Sequence, residues 1–201
     1  MKVLLLIDIQ NDFLPGGRLA VPEGDAIIPL VNALQPQFEL VVATQDWHPA
    51  GHQSFASSHP GRAPFDQIDL HGRPQVLWPD HCLQASAGAE LSPALDEHRI
   101  EAIFRKGTNP EIDSYSAFFD NDHRKSTGLT AYLRGRQVRE VYLAGLAGDF
   151  CVYYSALDAL AAGFPTFIIT DATRAISAEG YRAALADLQR QGVHLVTSAR
   201  L

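Results

Sequence analysis

Residues 141–162 read VYLAGLAGDFCVYYSALDALAA, which predicts a buried strand, a tight glycine turn and a helix. Gly145 and Gly148 permit backbone angles that other residues avoid. Asp149 is the expected helix N-cap, which places Cys151 in the first turn, where free N–H groups and the helix dipole favour a thiolate. This stretch alone leaves two interpretations of Cys151 open, a nucleophile or a small core hydrophobe.

Strands and helices alternate along the rest of the chain. The predicted strands are 2–7, 40–44, 100–105, 138–146, 166–170 and 193–196, and the predicted helices are 25–34, 129–134, 149–162 and 178–190. This alternation predicts right-handed crossovers and a three-layer α/β/α fold with a six-stranded, mostly parallel sheet. With 201 residues, 46% of them apolar, we expect a single domain over residues 1–201.

The composition limits the kinds of molecule that the protein is expected to bind. The net charge is -7 and no cluster of lysine and arginine stands out, which argues against nucleic acid and against an anionic membrane surface. A small-molecule partner is expected, and the sequence leaves monomer or homo-oligomer undetermined. Two cysteines, no signal peptide and no long apolar run favour a reducing, cytoplasmic location.

Four reactive side chains follow the first four predicted strands, namely Asp8, Asp46, Lys106 and Cys151. An aspartate at such a position is commonly a helix cap or a loop residue, and a lysine is commonly solvated. In a parallel sheet, however, the carboxyl ends of the strands form one edge, where ligands bind. Their convergence predicts a thiolate nucleophile beside an ammonium, with Asp8 passing protons.

A metal site is predicted in and beside a loop-rich region at about residues 47–99. Asp46 and His48 are two apart, so on extended backbone their side chains point the same way, and His81 is a candidate third ligand. Two imidazoles and one carboxylate leave open positions and suit zinc, ferrous iron or manganese. His52 is either a fourth ligand or a hydrogen-bonding neighbour. Such pairs also occur as ordinary polar loop residues.

Six motifs then resemble one family. They are DIQNDF at 8–13, DWHP at 46–49, WPDHC at 78–82, KG at 106–107, DSYSAFF at 113–119 and GLAGDFCV at 145–152. In this order they resemble the bacterial nicotinamidase/pyrazinamidase family of isochorismatase-like cysteine hydrolases, over almost the whole chain. Related cysteine hydrolases share the aspartate, lysine and cysteine but generally lack the metal motif.

The resemblance implies an isochorismatase-like hydrolase fold and a role for each matched residue. Asp8, Lys106 and Cys151 would form the catalytic triad. Asp46, His48 and His81 would hold one divalent ion, zinc in the first place and otherwise Fe²⁺ or Mn²⁺, that binds the pyridine nitrogen of nicotinamide. The residues matching the aromatic pocket, which would otherwise be assigned to the core, are Phe13, Leu19, Trp78 and Tyr115.

The resemblance also implies a cis peptide before Ala147, with the amides of Ala147 and Cys151 forming an oxyanion hole. Gly148 departs from the threonine usual in the family, which questions the rigidity of the turn. The implied reaction hydrolyses nicotinamide to nicotinate and ammonia, and pyrazinamide to pyrazinoate, through a Cys thioester intermediate, and the nicotinate would feed NAD salvage. Three alternatives stay open: a cysteine amidohydrolase of another small amide, a hydrolase using metal-bound water, and a non-catalytic binding module.

Overall fold

Eight strands and four helices follow one another in the computed structural model, which describes residues 1–201. The strands are β1 (Lys2–Ile7), β2 (Leu40–Asp46), β3 (Gln67–Leu70), β4 (Arg73–Val76), β5 (Ile100–Lys106), β6 (Glu140–Gly145), β7 (Thr166–Thr173) and β8 (His194–Val196). The helices are α1 (Ile28–Leu34), α2 (Leu129–Gly135), α3 (Cys151–Ala161) and α4 (Ala178–Gln191).

Six strands form one sheet in the order β5-β2-β1-β6-β7-β8, and every neighbouring pair is parallel. The predicted α/β fold with a six-stranded sheet is therefore confirmed. The chain runs outward from β1 to β2 on one side and pairs β1 with β6 on the other, so the strand order reverses between β1 and β6. In open α/β sheets this reversal opens the crevice in which ligands bind.

Apolar layers cover both faces of the sheet because the side chains of each strand alternate between them. From β1, Leu4 and Leu6 pack in a layer with α1, while Val3, Leu5 and Ile7 pack against α2, α3 and α4. All five side chains are fully buried, as expected for a central parallel strand. The rigid sheet positions the residues at its carboxyl edge.

Three local predictions are corrected. The predicted helix over 25–34 is a 3-10 turn, Gly24–Ile27, followed by α1. The 47–99 region contains an antiparallel hairpin, β3–β4, whose four-residue strands are too short for a clear alternating pattern. Asp149 is not the N-cap of α3, because its carboxylate accepts hydrogen bonds from the Ile176 and Ser177 amides at 3.0 and 2.9 Å.

α4, with 14 residues, is the longest, and no helix combines the length and apolarity that crossing a bilayer requires.

Candidate active site

Lys106 ends β5 and lies at the centre of a buried charge network. Its Nζ is 2.8 Å from Asp8 Oδ2 and 2.8 Å from Asp46 Oδ1, and it lies 3.6 Å from Cys151 Sγ. It also donates to the Ser114 carbonyl at 3.0 Å. Burial alone would lower the pKa of Lys106, but the carboxylates of Asp46 and Asp8 outweigh it and raise the pKa well above the usual value. The ammonium is therefore a fixed positive charge.

Asp8 directly follows β1 with a left-handed backbone, φ 47°, and no exposed surface. Thr44 donates to Asp8 Oδ1 at 2.6 Å, so the carboxylate is held between a hydroxyl and the Lys106 ammonium. Burial raises the pKa of Asp8 above its usual value, and Lys106 opposes part of that rise. A carboxyl group with a raised pKa is suited to taking up and releasing a proton.

Cys151 is the first residue of α3 and is 7% exposed. Burial raises the pKa of its thiol well above the usual value, with Lys106 lowering it and Asp8 raising it further. Burial is the largest of these effects, so it favours the protonated thiol, while the Lys106 ammonium favours the thiolate. The arrangement places a thiol, a carboxylate and an ammonium in mutual contact.

The turn before α3 brings backbone N–H groups to the same place. The Leu146–Ala147 peptide is cis, as the resemblance implied. Neither the Ala147 nor the Cys151 N–H donates to a protein acceptor, and both residues line a pocket. The amides of Asp149 and Tyr153 also lack protein acceptors, but these residues do not line it. The two pocket amides are therefore the ones available to a ligand.

The two glycines of this turn are needed for different reasons. Gly145 has φ 124°, which favours glycine, as predicted. Gly148 does not have a positive φ; instead, a Cβ there would lie 2.6 Å from the ring of Tyr181. Tyr181 thus fills the space that a larger residue at position 148 would need. Gly148, in place of the threonine expected from the resemblance, therefore leaves room for the Tyr181 ring. It removes none of the catalytic side chains.

Asp46, His48 and His81 form a buried cluster whose ligand atoms lie within 4.8 Å of one another. Asp46 Oδ2 is 3.3 Å from His48 Nε2 and 3.6 Å from His81 Nε2. The Nδ1 atoms of both histidines lie near backbone carbonyl oxygens, Gly107 O at 3.0 Å and Pro79 O at 2.8 Å. This arrangement leaves each Nε2 lone pair for an ion, and His48 Nε2 is buried without a hydrogen-bond partner.

His52 stands beside this cluster, with its ring centre 4.5 Å from that of His48. Its Nδ1 accepts a hydrogen bond from the Ser54 backbone N–H at 3.1 Å. Burial lowers the pKa of His52 to about 4. With Nδ1 accepting, the hydrogen of the neutral imidazole lies on Nε2, and that buried atom has no hydrogen-bond partner. His48, His52 and Asp113 form a second group whose ligand atoms could hold an ion, so both roles predicted for His52 stay predictions.

Cys151 and two members of the candidate metal cluster, Asp46 and His81, line the same pocket. All four side chains predicted for the aromatic pocket lie in its wall. The lining residues are Phe13, Leu19, Asp46, Trp78, His81, Asp113, Tyr115, Ala147, Phe150, Cys151 and Ile176. Three of these residues were not predicted from the sequence, namely Asp113, Phe150 and Ile176. The first two lie inside quoted motifs, whereas Ile176 has no local signal because it reaches the pocket from the segment after β7.

The fold and the site define an α/β protein whose reactive side chains gather at the carboxyl edge of a parallel sheet, beside a histidine and aspartate cluster. A family model described as the isochorismatase domain matches residues 2–200, and the chain belongs to this family. A nicotinamidase of Acinetobacter baylyi is 48% identical over 199 residues, covering 98% of this chain and 93% of that protein.

Two solved structures extend the comparison. A nicotinamidase/pyrazinamidase of Acinetobacter baumanii has a TM-score of 0.96 at 48% identity and covers 99% of this chain and 97% of its own. A pyrazinamidase of Pyrococcus horikoshii, solved in complex with zinc, has a TM-score of 0.80 at 38% identity, with 98% of both chains covered. The resemblance stated from the motifs is confirmed at the level of the family.

Proposed function

We propose that the protein hydrolyses nicotinamide to nicotinate and ammonia, and pyrazinamide to pyrazinoate. The observation that carries this proposal is the contact of Lys106 Nζ with both the Asp8 carboxylate and the Cys151 sulfur, which lines a pocket. Asp46 and His81, two members of the cluster that suits a ring-binding ion, line the same pocket. The names and coverage of the similar proteins support the same reaction.

The first half of the reaction forms a thioester. Asp8 takes the proton of the Cys151 thiol as the sulfur attacks the carboxamide carbon, so the charge passes to the substrate oxygen. The amides of Ala147 and Cys151 donate to that oxyanion; one such donor is worth about 3 to 4 kcal/mol in other enzymes. Asp8 then gives its proton to the departing nitrogen, and ammonia leaves.

The second half returns the site to its starting state. Asp8 takes a proton from water, whose oxygen attacks the thioester carbon, and that proton passes to the Cys151 sulfur as the carbon–sulfur bond breaks. The product leaves as nicotinic acid, which gives its remaining carboxyl proton to the solvent and becomes nicotinate. The Lys106 ammonium keeps its proton throughout, because its raised pKa makes it a poor acid. Its role is to stabilise the negative charge that moves between Asp8 and Cys151.

Asp46, His48 and His81 fit a divalent ion, since one carboxylate and two imidazoles with carbonyl-bound Nδ1 atoms form a familiar donor set. We assign zinc first, with Fe²⁺ or Mn²⁺ as alternatives, and place His52 as a hydrogen-bonding neighbour. Such an ion supplies a Lewis acid for the pyridine nitrogen. The side chains that would pack against the ring are Phe13, Leu19, Trp78 and Tyr115.

We further propose that residues 1–201 act as one domain, in the cytoplasm, where a free catalytic thiol stays reduced. Nicotinate production there would feed NAD salvage. The deciding experiment is an assay of ammonia release from nicotinamide by the purified protein and by Cys151→Ala. Turnover by the former alone is expected. Equal turnover by both proteins would indicate that metal-bound water is the nucleophile. Absence of turnover by the wild-type protein would refute the proposal.

A further inference from the structure

A second and larger cavity adjoins the pocket of the proposed active site. It measures about 400 Å³ and lies between the β3–β4 hairpin, the loop at 111–123 and α3. The inner pocket measures about 20 Å³, room for roughly one or two water molecules. Asp113 and Tyr115 line both spaces, so they form the partition between them.

An aromatic amide larger than nicotinamide needs more room than the inner pocket gives, so a wall of that pocket has to move to admit it. Phe13 and Trp78 are 3% exposed and belong to the main apolar core, so they have no room to move. Tyr115 is only partly buried and has the outer cavity behind it. Apart from Asp113, Tyr115 is the only side chain of the inner pocket that also lines the outer cavity, so it has space to swing away.

Two N–H groups hold the Tyr115 hydroxyl in place. Gln75 Nε2 donates to it at 3.0 Å and Trp78 Nε1 at 3.2 Å. Gln75 Nε2 also contacts Asp113 Oδ2 at 3.3 Å and the Val76 carbonyl at 2.7 Å, so its two hydrogens are shared among three acceptors. Gln75 is buried on β4 and lines the outer cavity only, so it fixes both partition residues from outside the catalytic pocket.

We propose that Tyr115 is a movable partition latched by Gln75, and that Gln75 thereby sets the size of the aromatic amide that reaches Cys151. This inference deepens the proposed function and rests on it. Gln75 acts through Tyr115, so it is a positioning residue that determines specificity. Loosening the latch should merge the two spaces and admit ring-substituted or ring-fused carboxamides that the wild-type protein excludes.

The test compares quinoline-3-carboxamide with nicotinamide as substrates. Gln75→Leu keeps the bulk of the side chain but removes its N–H donors, and Tyr115→Phe keeps the ring but removes the latched hydroxyl. The ratio of kcat/KM for the larger amide over that for nicotinamide should rise about three- to tenfold in Gln75→Leu, the worth of one neutral hydrogen bond. It should rise at least as much in Tyr115→Phe, which loses the hydrogen bonds from both Gln75 and Trp78. A general loss of folding lowers both rates and cannot raise this ratio.

An activity-independent measurement uses Cys151 labelling. The rate of reaction with a bulky maleimide relative to iodoacetamide should rise in the same two variants. Gln67→Leu is the matched control, because Gln67 lies on β3 of the same hairpin, is exposed and lines neither space; both ratios should stay at wild-type values. Folded Gln75→Leu and Tyr115→Phe proteins with wild-type ratios would overturn the latch. Absence of nicotinamide hydrolysis by the wild-type protein would instead refute the proposed function, with the labelling ratio still testing the partition.

Discussion

Replacing Lys106 by methionine is the sharpest perturbation of the proposed site, since it keeps an unbranched chain but deletes the ammonium. Two carboxylates, those of Asp8 and Asp46, then lose a cation at 2.8 Å. Each pair is worth about 6 kcal/mol of gross attraction at an effective dielectric constant of about 20. Burial of the three charges cancels much of this attraction, and breaking a buried pair by removing one partner costs about 3 to 5 kcal/mol.

The free energy of unfolding that Lys106→Met loses depends on pH, because Asp8 can take up a proton. Burial already raises its pKa, and loss of Lys106 removes the charge that opposes the rise. A folded-state pKa above the unfolded value means that stability falls as pH rises between the two values. The loss of unfolding free energy in Lys106→Met should therefore be larger at pH 8 than at pH 5.

Urea denaturation at pH 5 and pH 8, with nicotinamide turnover at pH 7.5, measures both effects. The rate should fall by several orders of magnitude, since both the attacking sulfur and its proton acceptor lose their counter-charge. Lys125→Met is the control: Lys125 binds the exposed Thr108 hydroxyl, and its loss should change stability by less than about 0.5 kcal/mol. Wild-type stability and rate in Lys106→Met would refute the proposed network.

Four further outcomes are expected. Cys151→Ala should abolish turnover but unfold like the wild-type protein; substantial residual turnover would favour attack by metal-bound water. Alkylation of Cys151 by iodoacetamide should accelerate up to and beyond pH 9, since burial raises the thiol pKa; a plateau at pH 7 would contradict this. Asp46→Ala or His81→Ala should lose the metal in elemental analysis and bind nicotinamide weakly, yet still be alkylated at Cys151. Pyrazinamide should be hydrolysed and benzamide, which has no ring nitrogen, should react poorly; equal rates would exclude a ring-binding metal.

Much of the sheet was predictable because buried parallel strands are continuous apolar runs. The β1 prediction has the observed bounds, and α2 and α4 were each predicted to within one residue of theirs. The hairpin β3–β4 was missed because its strands are short and largely exposed. The alternation of predicted strands and helices identified the sheet edge where the reactive groups meet.

The raised pKa of the Cys151 thiol was not predictable from its place at a helix start. Local sequence indicates the helix dipole, but burial depends on what the rest of the chain packs against the sulfur. The same limit applies to Asp149, whose position before a helix predicts a cap. In the structure its carboxylate binds the Ile176 and Ser177 amides, which precede α4 and lie far away in sequence.

The connection between the two halves of the site comes from strand register. The sequence predicted Asp46 and Lys106 at the same edge of the sheet but gave them different roles, Lys106 in the triad and Asp46 in the metal cluster. In the sheet, β2 and β5 are neighbours and Asp46 pairs directly with Lys106. Asp46 Oδ1 faces the ammonium while Oδ2 faces His48 and His81, so a single carboxylate serves both groups. Any change in the charge of the histidine cluster therefore reaches Cys151 through Asp46 and Lys106, a coupling that residue spacing along the chain does not reveal.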